Sequence, residues 1–405
     1  MLKLKDFEAA YDKVQEVVLP TKLIYSDSFS SQTGNQVYLK PENMQLTGAY
    51  KIRGAYYKIS TLTKEEKDRG LITASAGNHA QGVALAAKKQ GVMATIVMPT
   101  TTPLLKVNRT KDLGAKVVLH GDVYDEACEF ALKLAEEKGL TFVHPFDDLT
   151  VATGQGTIAM DIFKELPTVD IILVPIGGGG LVTGVSTLAK LLNPKIKVIG
   201  VEPEGAACMT ASLEAGKVVS CEHVDTIADG TAVQTPGKKI FPYVKNNVDK
   251  IITINDEELI PCFLDLLENH KMLAENSGLL SVAALKHLNV TGKKVVSVIS
   301  GGNMDVITIA SLVQHGLILR DRIFTVSVFL PDKPGELTRV SKIIAQAQGN
   351  VIRLEHNQFV SINRSAKVEL TITMEAFGTE HKEKIINALK DTGYNPQMRN
   401  SKSVY

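Results

Sequence analysis

The sequence has no tryptophan, and only 5% of its residues are aromatic. The aromatic platforms on which single-stranded nucleic acids stack are therefore scarce. An excess of charge is also missing, because 45 lysines and arginines stand against 44 aspartates and glutamates, a net charge of +1. This balance does not favour nucleic acid or anionic lipid as a partner. Gly, Pro, Lys or Asp interrupts each apolar stretch well before the ~18 residues that a membrane span needs. We predict no nucleic-acid and no membrane partner.

The four cysteines, Cys128, Cys208, Cys221 and Cys262, lie far apart in the sequence. They form no CxxC pair, and no histidine follows them at a spacing typical of zinc sites. The first residues, MLKLKDFEAAYDKV, carry charges among their apolar residues and lack the apolar core of a secretory signal. We therefore expect reduced thiols and a cytoplasmic protein.

Short, continuous apolar runs alternate with helical patterns over most of the 405 residues. One such helical pattern covers residues 124–138. Such runs are typical of strands that are buried on both faces of a parallel sheet. The length favours two or three domains, and the alternation favours an α/β fold. Strands are predicted at 95–99, 115–120, 169–176, 197–203 and 294–300.

The pattern changes near residues 320–322, where we predict a domain boundary. An alternating strand at 323–330 leads to a helix at 337–347 and to an extended segment from 351. A second alternating strand then has Val368, Leu370, Ile372 and Met374 on one face. A helix at about 380–389 and a short extended segment follow, which makes the order βαββαβ.

Four consecutive glycines, Gly177, Gly178, Gly179 and Gly180, follow a buried strand in VPIGGGGLVTG (174–184) and open a helix. Glycine lets the backbone approach a ligand closely, and the N–H groups at a helix start favour phosphate. A tight turn alone would need only one glycine, so we favour a phosphate site. Dinucleotides and nucleotides are disfavoured, because the spacing matches neither GxGxxG nor a P-loop.

Three other motifs could supply chemistry. Lys51 lies in TGAYKIRGA (47–55), whose small and apolar residues could desolvate the amine and lower its pKa, although most lysines are simply solvated. Ser75, Asn78 and His79 lie in ASAGNHAQG (74–82), before a helix at 80–89, and would either cap that helix or bind a carboxylate. Ser300 ends a buried strand in VISGGN (298–303), where ligands collect in open α/β sheets, unless it is only a helix cap.

Together with MLAENSG (272–278), these motifs occur in the order and spacing of the threonine dehydratases. Residues 1–320 thus resemble that family, which lies within the pyridoxal-phosphate enzymes similar to tryptophan synthase β. PDKPGELTRVSKIIAQAQGNV (331–351) resembles an ACT regulatory domain. The resemblance implies an α/β catalytic domain of two open parallel-sheet subdomains over 1–320, the smaller one inserted at about 45–150. A βαββαβ ACT domain over 323–400 would follow.

The resemblance also implies the site. Pyridoxal 5'-phosphate would be held as a Schiff base on Lys51, with its phosphate at glycines 177–180 and its ring beside Asn78 and Ser300. Ser75, Asn78 and His79, with their nearby backbone N–H groups, would hold the substrate carboxylate, and the freed Lys51 would take the α proton. The implied reaction is β-elimination of L-threonine to 2-oxobutanoate and ammonia. Some activity on L-serine is expected, because one methyl group contributes only ~1–3 kcal/mol of discrimination.

Two departures from related enzymes narrow the choice. Serine racemases carry a serine as second base where this chain has Ala76, so racemisation should be minor. The racemase-like metal site uses the positions of Glu202 and Ala206 and an acidic residue where this chain has Cys208, so we predict no metal. An L-serine dehydratase or racemase, and a catalytically silent amino-acid sensor, remain the alternatives.

The implied ACT domain predicts an amino-acid effector, isoleucine first and valine as an opposing ligand. Its predicted site comprises Asp332, Gly335, Gly349 and Asn350. The alternative is that this domain only strengthens the oligomer, a homodimer or homotetramer. Isoleucine synthesis and threonine breakdown both stay open as the cellular role.

Overall fold

The computed structural model describes residues 1–357 and 368–399, and the chain divides into two compact units, Met1–Met304 and Asp305–Tyr405. The division lies before the helix Val306–Leu319, which the sequence analysis assigned to the first domain. That helix contacts the first strand of the second unit, so it groups with the residues that follow it.

The first unit contains two sheets and the helices that cover them. The strands are β1 (Ile24–Tyr25), β2 (Gln36–Pro41), β3 (Leu71–Ala74), β4 (Ala94–Met98), β5 (Lys116–Leu119), β6 (Thr141–Phe142), β7 (Ile171–Pro175), β8 (Lys197–Pro203), β9 (Lys250–Ile254) and β10 (Lys294–Ile299). The helices are α1 (Leu4–Val14), α2 (Asp27–Thr33), α3 (Lys51–Ser60), α4 (Lys64–Arg69), α5 (Asn78–Lys89), α6 (Leu104–Asp112), α7 (Tyr124–Lys138), α8 (Leu149–Glu165), α9 (Gly180–Leu192), α10 (Cys208–Ala215), α11 (Phe241–Asn247), α12 (Asp256–Asp265) and α13 (Asn276–Ala283).

The larger sheet has the order β1-β2-β10-β7-β8-β9, in which only the edge strand β1 is antiparallel to its neighbour. Every residue of β7 is buried, as the continuous apolar pattern predicts for a central parallel strand. The smaller sheet, β5-β4-β3-β6, is parallel throughout, and its strands lie between β2 and β7 in the sequence. The predicted α/β fold with two open parallel sheets is therefore confirmed.

Helix α8 packs closely against α3 on one side and α9 on the other, with glycines at both contacts. A Cβ at Gly154 of α8 would lie 2.7 Å from the Cα of Gly54 in α3. A Cβ at Gly184 of α9 would lie 2.0 Å from the carbonyl oxygen of Ala152 in α8. Since no side chain fits at either contact, the three helix backbones approach each other directly, and α8 sets the distance between α3 and α9.

The second unit begins with α14 (Val306–Leu319) and continues with β11 (Ile323–Leu330), α15 (Glu336–Gln346), β12 (Asn350–Asn357), β13 (Val368–Glu375), α16 (Thr379–Asp391) and β14 (Gln397–Arg399). The predicted order βαββαβ is thus present from β11 onward. The sheet is antiparallel with the order β12-β13-β11-β14, and its alternating residues form a separate core against α15 and α16. Residue 400, where the predicted ACT domain ends, lies outside the described residues.

The cysteine prediction needs correction. Cys208 and Cys221 form a disulfide with their Cα atoms 5.7 Å apart, whereas Cys128 and Cys262 are not disulfide-bonded. The two cysteines of the disulfide are only 13 positions apart in the sequence, but they do not form a CxxC motif that would predict the pairing. The cysteines therefore do not indicate a reducing compartment. Within residues 1–357 and 368–399, none of the helices is long and apolar enough to cross a bilayer.

Candidate functional site

A cavity of about 830 Å³ lies in the first unit, where three helices begin. Lys51 is the first residue of α3, Asn78 of α5 and Gly180 of α9, and Ser300 follows the end of β10. All the residues that the sequence analysis named for catalysis, cofactor or substrate line this cavity. They are Lys51, Ser75, Asn78, His79, Gly177, Gly178, Gly179, Gly180 and Ser300.

Lys51 presents a buried amine to the cavity. Its Nζ donates a hydrogen bond to the carbonyl oxygen of Pro145 at 2.8 Å and lies 5.3 Å from the centre of the Tyr50 ring. Burial lowers the pKa of Lys51 to about 8, although the charge of Glu275 acts in the opposite direction. A larger fraction of this amine is therefore neutral at physiological pH than of a solvated lysine, and a neutral amine is both a nucleophile and a base.

The four glycines at 177–180, here called the tetraglycine loop, follow β7 and end at the first residue of α9. Gly179 lies in the left-handed region at φ 98°. A Cβ at Gly178 would lie 2.2 Å from Cγ of Phe146, and one at Gly177 would lie 2.9 Å from Cα of Thr231. Close packing on the protein side therefore requires glycine here, in addition to any ligand. Because the first N–H groups of α9 have no intrahelical acceptor, the loop also offers donors and a positive dipole end to an anion.

Ser75 lies just before helix α5, and Asn78 is the first residue of that helix. Both residues line the cavity. The hydroxyl oxygen of Ser75 accepts a hydrogen bond from the Gly77 N–H at 3.2 Å, so its own proton can be directed elsewhere. The Asn78 amide donates to Oε1 of Glu275 at 2.7 Å and accepts from Nδ2 of Asn303 at 2.9 Å. These contacts fix the Asn78 side chain at the cavity wall.

The His79 side chain is buried and bonded to the backbone of a neighbouring segment. Its Nε2 is 2.9 Å from the carbonyl oxygen of Val143, so this nitrogen carries the hydrogen and Nδ1 is an acceptor. The side chain is 3% exposed, and burial together with the charge of Lys51 lowers the pKa of His79 to about 3. A neutral imidazole with its only N–H already used has no donor for a carboxylate. The backbone N–H of His79, in the first turn of α5, remains available for that purpose.

Glu275 and Asn303 complete the site, and no role was predicted for either from the sequence. Burial raises the pKa of Glu275 to about 8, with Asp229 adding to the effect and the hydrogen bond from Asn78 opposing it. Asn303 also donates to the carbonyl oxygen of Thr47 at 2.6 Å. The motifs MLAENSG and SGGN contain these residues, and their polar side chains next to small residues were the available signal.

The Glu202 carboxylate is engaged by the start of a helix. This carboxylate accepts hydrogen bonds from the N–H groups of Met209 and Thr210, at 2.8 and 2.9 Å, and from the Thr210 hydroxyl at 2.7 Å. It therefore caps α10 from the end of β8. In the described parts of the chain, no group of three or more His, Cys, Asp or Glu side chains is arranged to hold a metal ion.

The predicted effector residues do not come together within one chain. Asp332 and Gly335 follow the end of β11. Asn350 begins β12 and lies opposite Glu375 of β13. Glu375 also lies opposite Ile323, which is at the start of β11. The two groups therefore lie at opposite ends of the sheet. Gly349 packs on α15, since a Cβ there would lie 2.9 Å from the Ile344 side chain.

Comparison with known proteins agrees with the chemistry of this cavity. Residues 14–301 match the family model described as pyridoxal-phosphate dependent enzyme. The chain is 45% identical over 395 residues to an L-threonine ammonia-lyase of Thermotoga maritima, covering 97% of this chain and 98% of that protein. It is 43% identical over 396 residues to an L-threonine ammonia-lyase of Geobacter sulfurreducens, again covering 97% and 98%. The processed form of threonine deaminase isoform 2 from Solanum lycopersicum is similar in structure, with a TM-score of 0.74 and 38% identity over 77% of this chain and 87% of that one.

Proposed function

The chain belongs to the pyridoxal-phosphate dependent enzymes, and from that premise we propose that it is a threonine ammonia-lyase that converts L-threonine to 2-oxobutanoate and ammonia. The observation that carries the proposal is the buried Lys51 amine, which lines the same cavity as the tetraglycine loop and Ser300. Two near full-length relatives named L-threonine ammonia-lyase support the choice of reaction.

The cavity residues fit the cofactor. Lys51 would carry it covalently, the start of α9 would hold its phosphate, and Ser300 would face its ring nitrogen. A hydroxyl there does not hold a ring nitrogen protonated as a carboxylate would, which favours prompt elimination over a long-lived carbanion. When bound, pyridoxal phosphate supplies the electron sink for charge that develops at the substrate α carbon.

The start of α5 would bind the substrate carboxylate. The Ser75 hydroxyl and the first N–H groups of α5 are donors on one wall of the cavity, and the helix dipole adds a positive end. We assign this contact to the backbone of Asn78 and His79 and not to the His79 imidazole, whose N–H is bonded to Val143. The Asn78 side chain, held by Glu275 and Asn303, would contact the cofactor ring.

Lys51 would move the α proton. Its hydrogen bond to Pro145 orients the amine, and its lowered pKa increases the unprotonated fraction of the nitrogen near neutral pH. Ala76 also lines the cavity and carries no hydroxyl, so an α carbon would have no second base at this position. We therefore propose elimination with little racemisation. L-Serine would be a poorer substrate that yields pyruvate.

The test is an assay of 2-oxobutanoate formation by the purified protein, together with its visible absorption. Lys51→Ala should abolish both the covalently bound cofactor and the activity. Lys58→Ala is the matched control, because Lys58 lies on the same helix and pairs with Asp148. A Lys51→Ala protein that still binds the cofactor covalently would refute the assignment, and a coloured protein without activity on threonine or serine would favour the sensor.

For the second unit we propose an ACT domain that binds an amino acid and regulates the enzyme. The βαββαβ order and antiparallel sheet support the domain type. Regulation requires that the effector bind two conformations unequally. Isoleucine and valine, titrated separately into the activity assay, should change the rate or the cooperativity in opposite directions. If neither amino acid changes the activity, the domain would have a role in oligomer assembly alone. Light scattering measures the oligomeric state, and we expect a homodimer or homotetramer.

A further inference from the structure

A cluster of four charged side chains, three of them buried and one half-buried, lies outside the residues that line the cavity. This ion cluster consists of Lys40, Glu42, Arg53 and Asp161. Arg53 and Glu42 are 0% exposed and Lys40 is 1% exposed. Replacing a buried ion group by apolar residues is often neutral or stabilising, so stability alone does not explain such a cluster. Its hydrogen bonds are directional, however, and can define one geometry.

Arg53 uses all three of its guanidinium nitrogens. Nε and Nη2 donate to the two carboxylate oxygens of Glu42, both at 2.8 Å, in a bidentate pair. Nη2 also donates to Asp161 at 2.6 Å, and Nη1 donates to the Thr157 hydroxyl at 3.1 Å. Burial alone would lower the pKa of Arg53, but Glu42 and Asp161 hold it above its ordinary value.

The partners of Arg53 are held in turn by other groups. Glu42 accepts from the Thr21 hydroxyl at 2.7 Å, and Asp161 accepts from Lys40 at 3.1 Å. Lys40 also donates to the carbonyl oxygen of Thr21. Each charge in the cluster therefore has a partner of opposite sign, and two positive groups balance two negative ones.

The cluster joins the segments that carry the site. Arg53 lies two residues after Lys51 on α3, so the two side chains point roughly 200° apart around the helix. Asp161 belongs to α8, and the segment just before α8 contains Pro145, the acceptor for the Lys51 amine. Lys40 belongs to β2, which pairs with β10 just before Ser300.

We propose that Arg53 is a positioning residue for Lys51, holding the start of α3 against α8 and the end of β2 so that the amine stays in place at the cavity wall. The proposal rests on the function proposed for Lys51. Arginine suits this task better than lysine, because its planar fork makes several hydrogen bonds with fixed directions.

The test removes the pair without leaving an unbalanced charge. In the double variant Arg53→Met/Glu42→Gln, Lys40 and Asp161 still neutralise each other, and glutamine keeps an acceptor for Thr21. Acetylation of the full-length chain without cofactor, followed across pH by peptide mass spectrometry, reports the pKa of Lys51 independently of activity. We expect this pKa to rise from about 8 toward 10.5, as the amine becomes more solvated. In the loaded enzyme kcat should fall ~10- to 100-fold, as misplacement of a reacting group by about 1 Å does, with a smaller change in KM.

Two further variants separate positioning from charge balance. Arg53→Lys keeps the charge and should fold, but it cannot make the fork, so it should show most of the same losses. Lys190→Met/Asp249→Asn removes a different ion pair in the same unit and leaves only the exposed Lys197 without its Asp249 contact, so it should leave Lys51 and kcat unchanged.

Three results would overturn the proposal: an unchanged Lys51 pKa and kcat in the folded double variant, full activity in Arg53→Lys, or equal losses in the Lys190 control. Since the acetylation readout needs no cofactor, failure of this proposal is distinguishable from failure of the cofactor assignment, which Lys51→Ala tests.

Discussion

Glu275 provides a sharp test of the electrostatics of the site, through the substitution Glu275→Gln. Glutamine retains the volume and an oxygen for the Asn78 amide, and it removes the proton that titrates. With a pKa of about 8, the carboxyl group is about nine-tenths protonated at pH 7 and about nine-tenths ionised at pH 9. The variant therefore mimics the low-pH state of the wild type at every pH.

The expected magnitudes follow from that titration. Near pH 7 the variant should retain kcat within about twofold, since the side chain is neutral in both proteins. Above pH 8 the proteins should diverge, because the ionised carboxylate raises the pKa of Lys51 and the amide does not. We expect the Lys51 pKa to be lower in the variant by about one unit, at the low end of the effect of a neighbouring charge.

The assay is acetylation of Lys51 in the chain without cofactor, from about pH 6 to pH 10, combined with kcat over the same range. Asp229→Asn is an informative companion, because loss of the Asp229 charge should lower the pKa of Glu275 and move the divergence to lower pH. An unchanged Lys51 pKa in Glu275→Gln would refute the charge coupling. A loss of more than about 100-fold at pH 7 would show instead that Glu275 itself transfers a proton during the reaction.

Three more predictions concern single residues. Gly178→Ala should weaken cofactor binding about 5- to 150-fold, because the new Cβ would need space that the Phe146 ring occupies and overpacking costs about 1–3 kcal/mol. An equilibrium titration measures the affinity, and wild-type affinity would argue against a phosphate site at this loop. The free energy of unfolding should decline by about 1.4 kcal/mol per pH unit as pH falls from about 6.5 toward 3, because His79 binds a proton in the unfolded chain but not in the folded one. Urea unfolding of the wild type and of His79→Gln gives the dependence of this free energy on pH. An identical dependence in the two proteins would contradict a contribution from His79. Ala76→Ser should increase D-serine formation from L-serine at the expense of pyruvate, as chiral chromatography would detect; no D-serine would mean that a hydroxyl here does not reach the α carbon.

Elements with strong local patterns were predictable from the sequence. The helix at 124–138 and the strands at 197–203 and 323–330 have the predicted bounds, because apolar periodicity and breaking residues report burial directly. The tetraglycine loop, Lys51 and Ser300 carry their signal in a few adjacent residues, so their presence in one cavity was foreseen.

Contacts between distant residues were not predictable in this way. The Cys208 and Cys221 pair, the bond between Asn78 and Glu275 across 197 positions, and the contact of Arg53 with Asp161 across 108 positions leave no local pattern. The partner of the His79 imidazole, the carbonyl oxygen of Val143, is 64 positions away and was equally invisible in the sequence.

The sequence by itself therefore determined the α/β class, the βαββαβ order of the second unit and the choice of Lys51 as the candidate amine, since each depends on neighbouring residues. Only the tertiary structure decided the protonation of that amine and the partners that orient it. Burial and charge proximity are properties of the packed chain, and they arise when helices α3, α5, α8 and α9 bring residues from remote positions to within hydrogen-bonding distance.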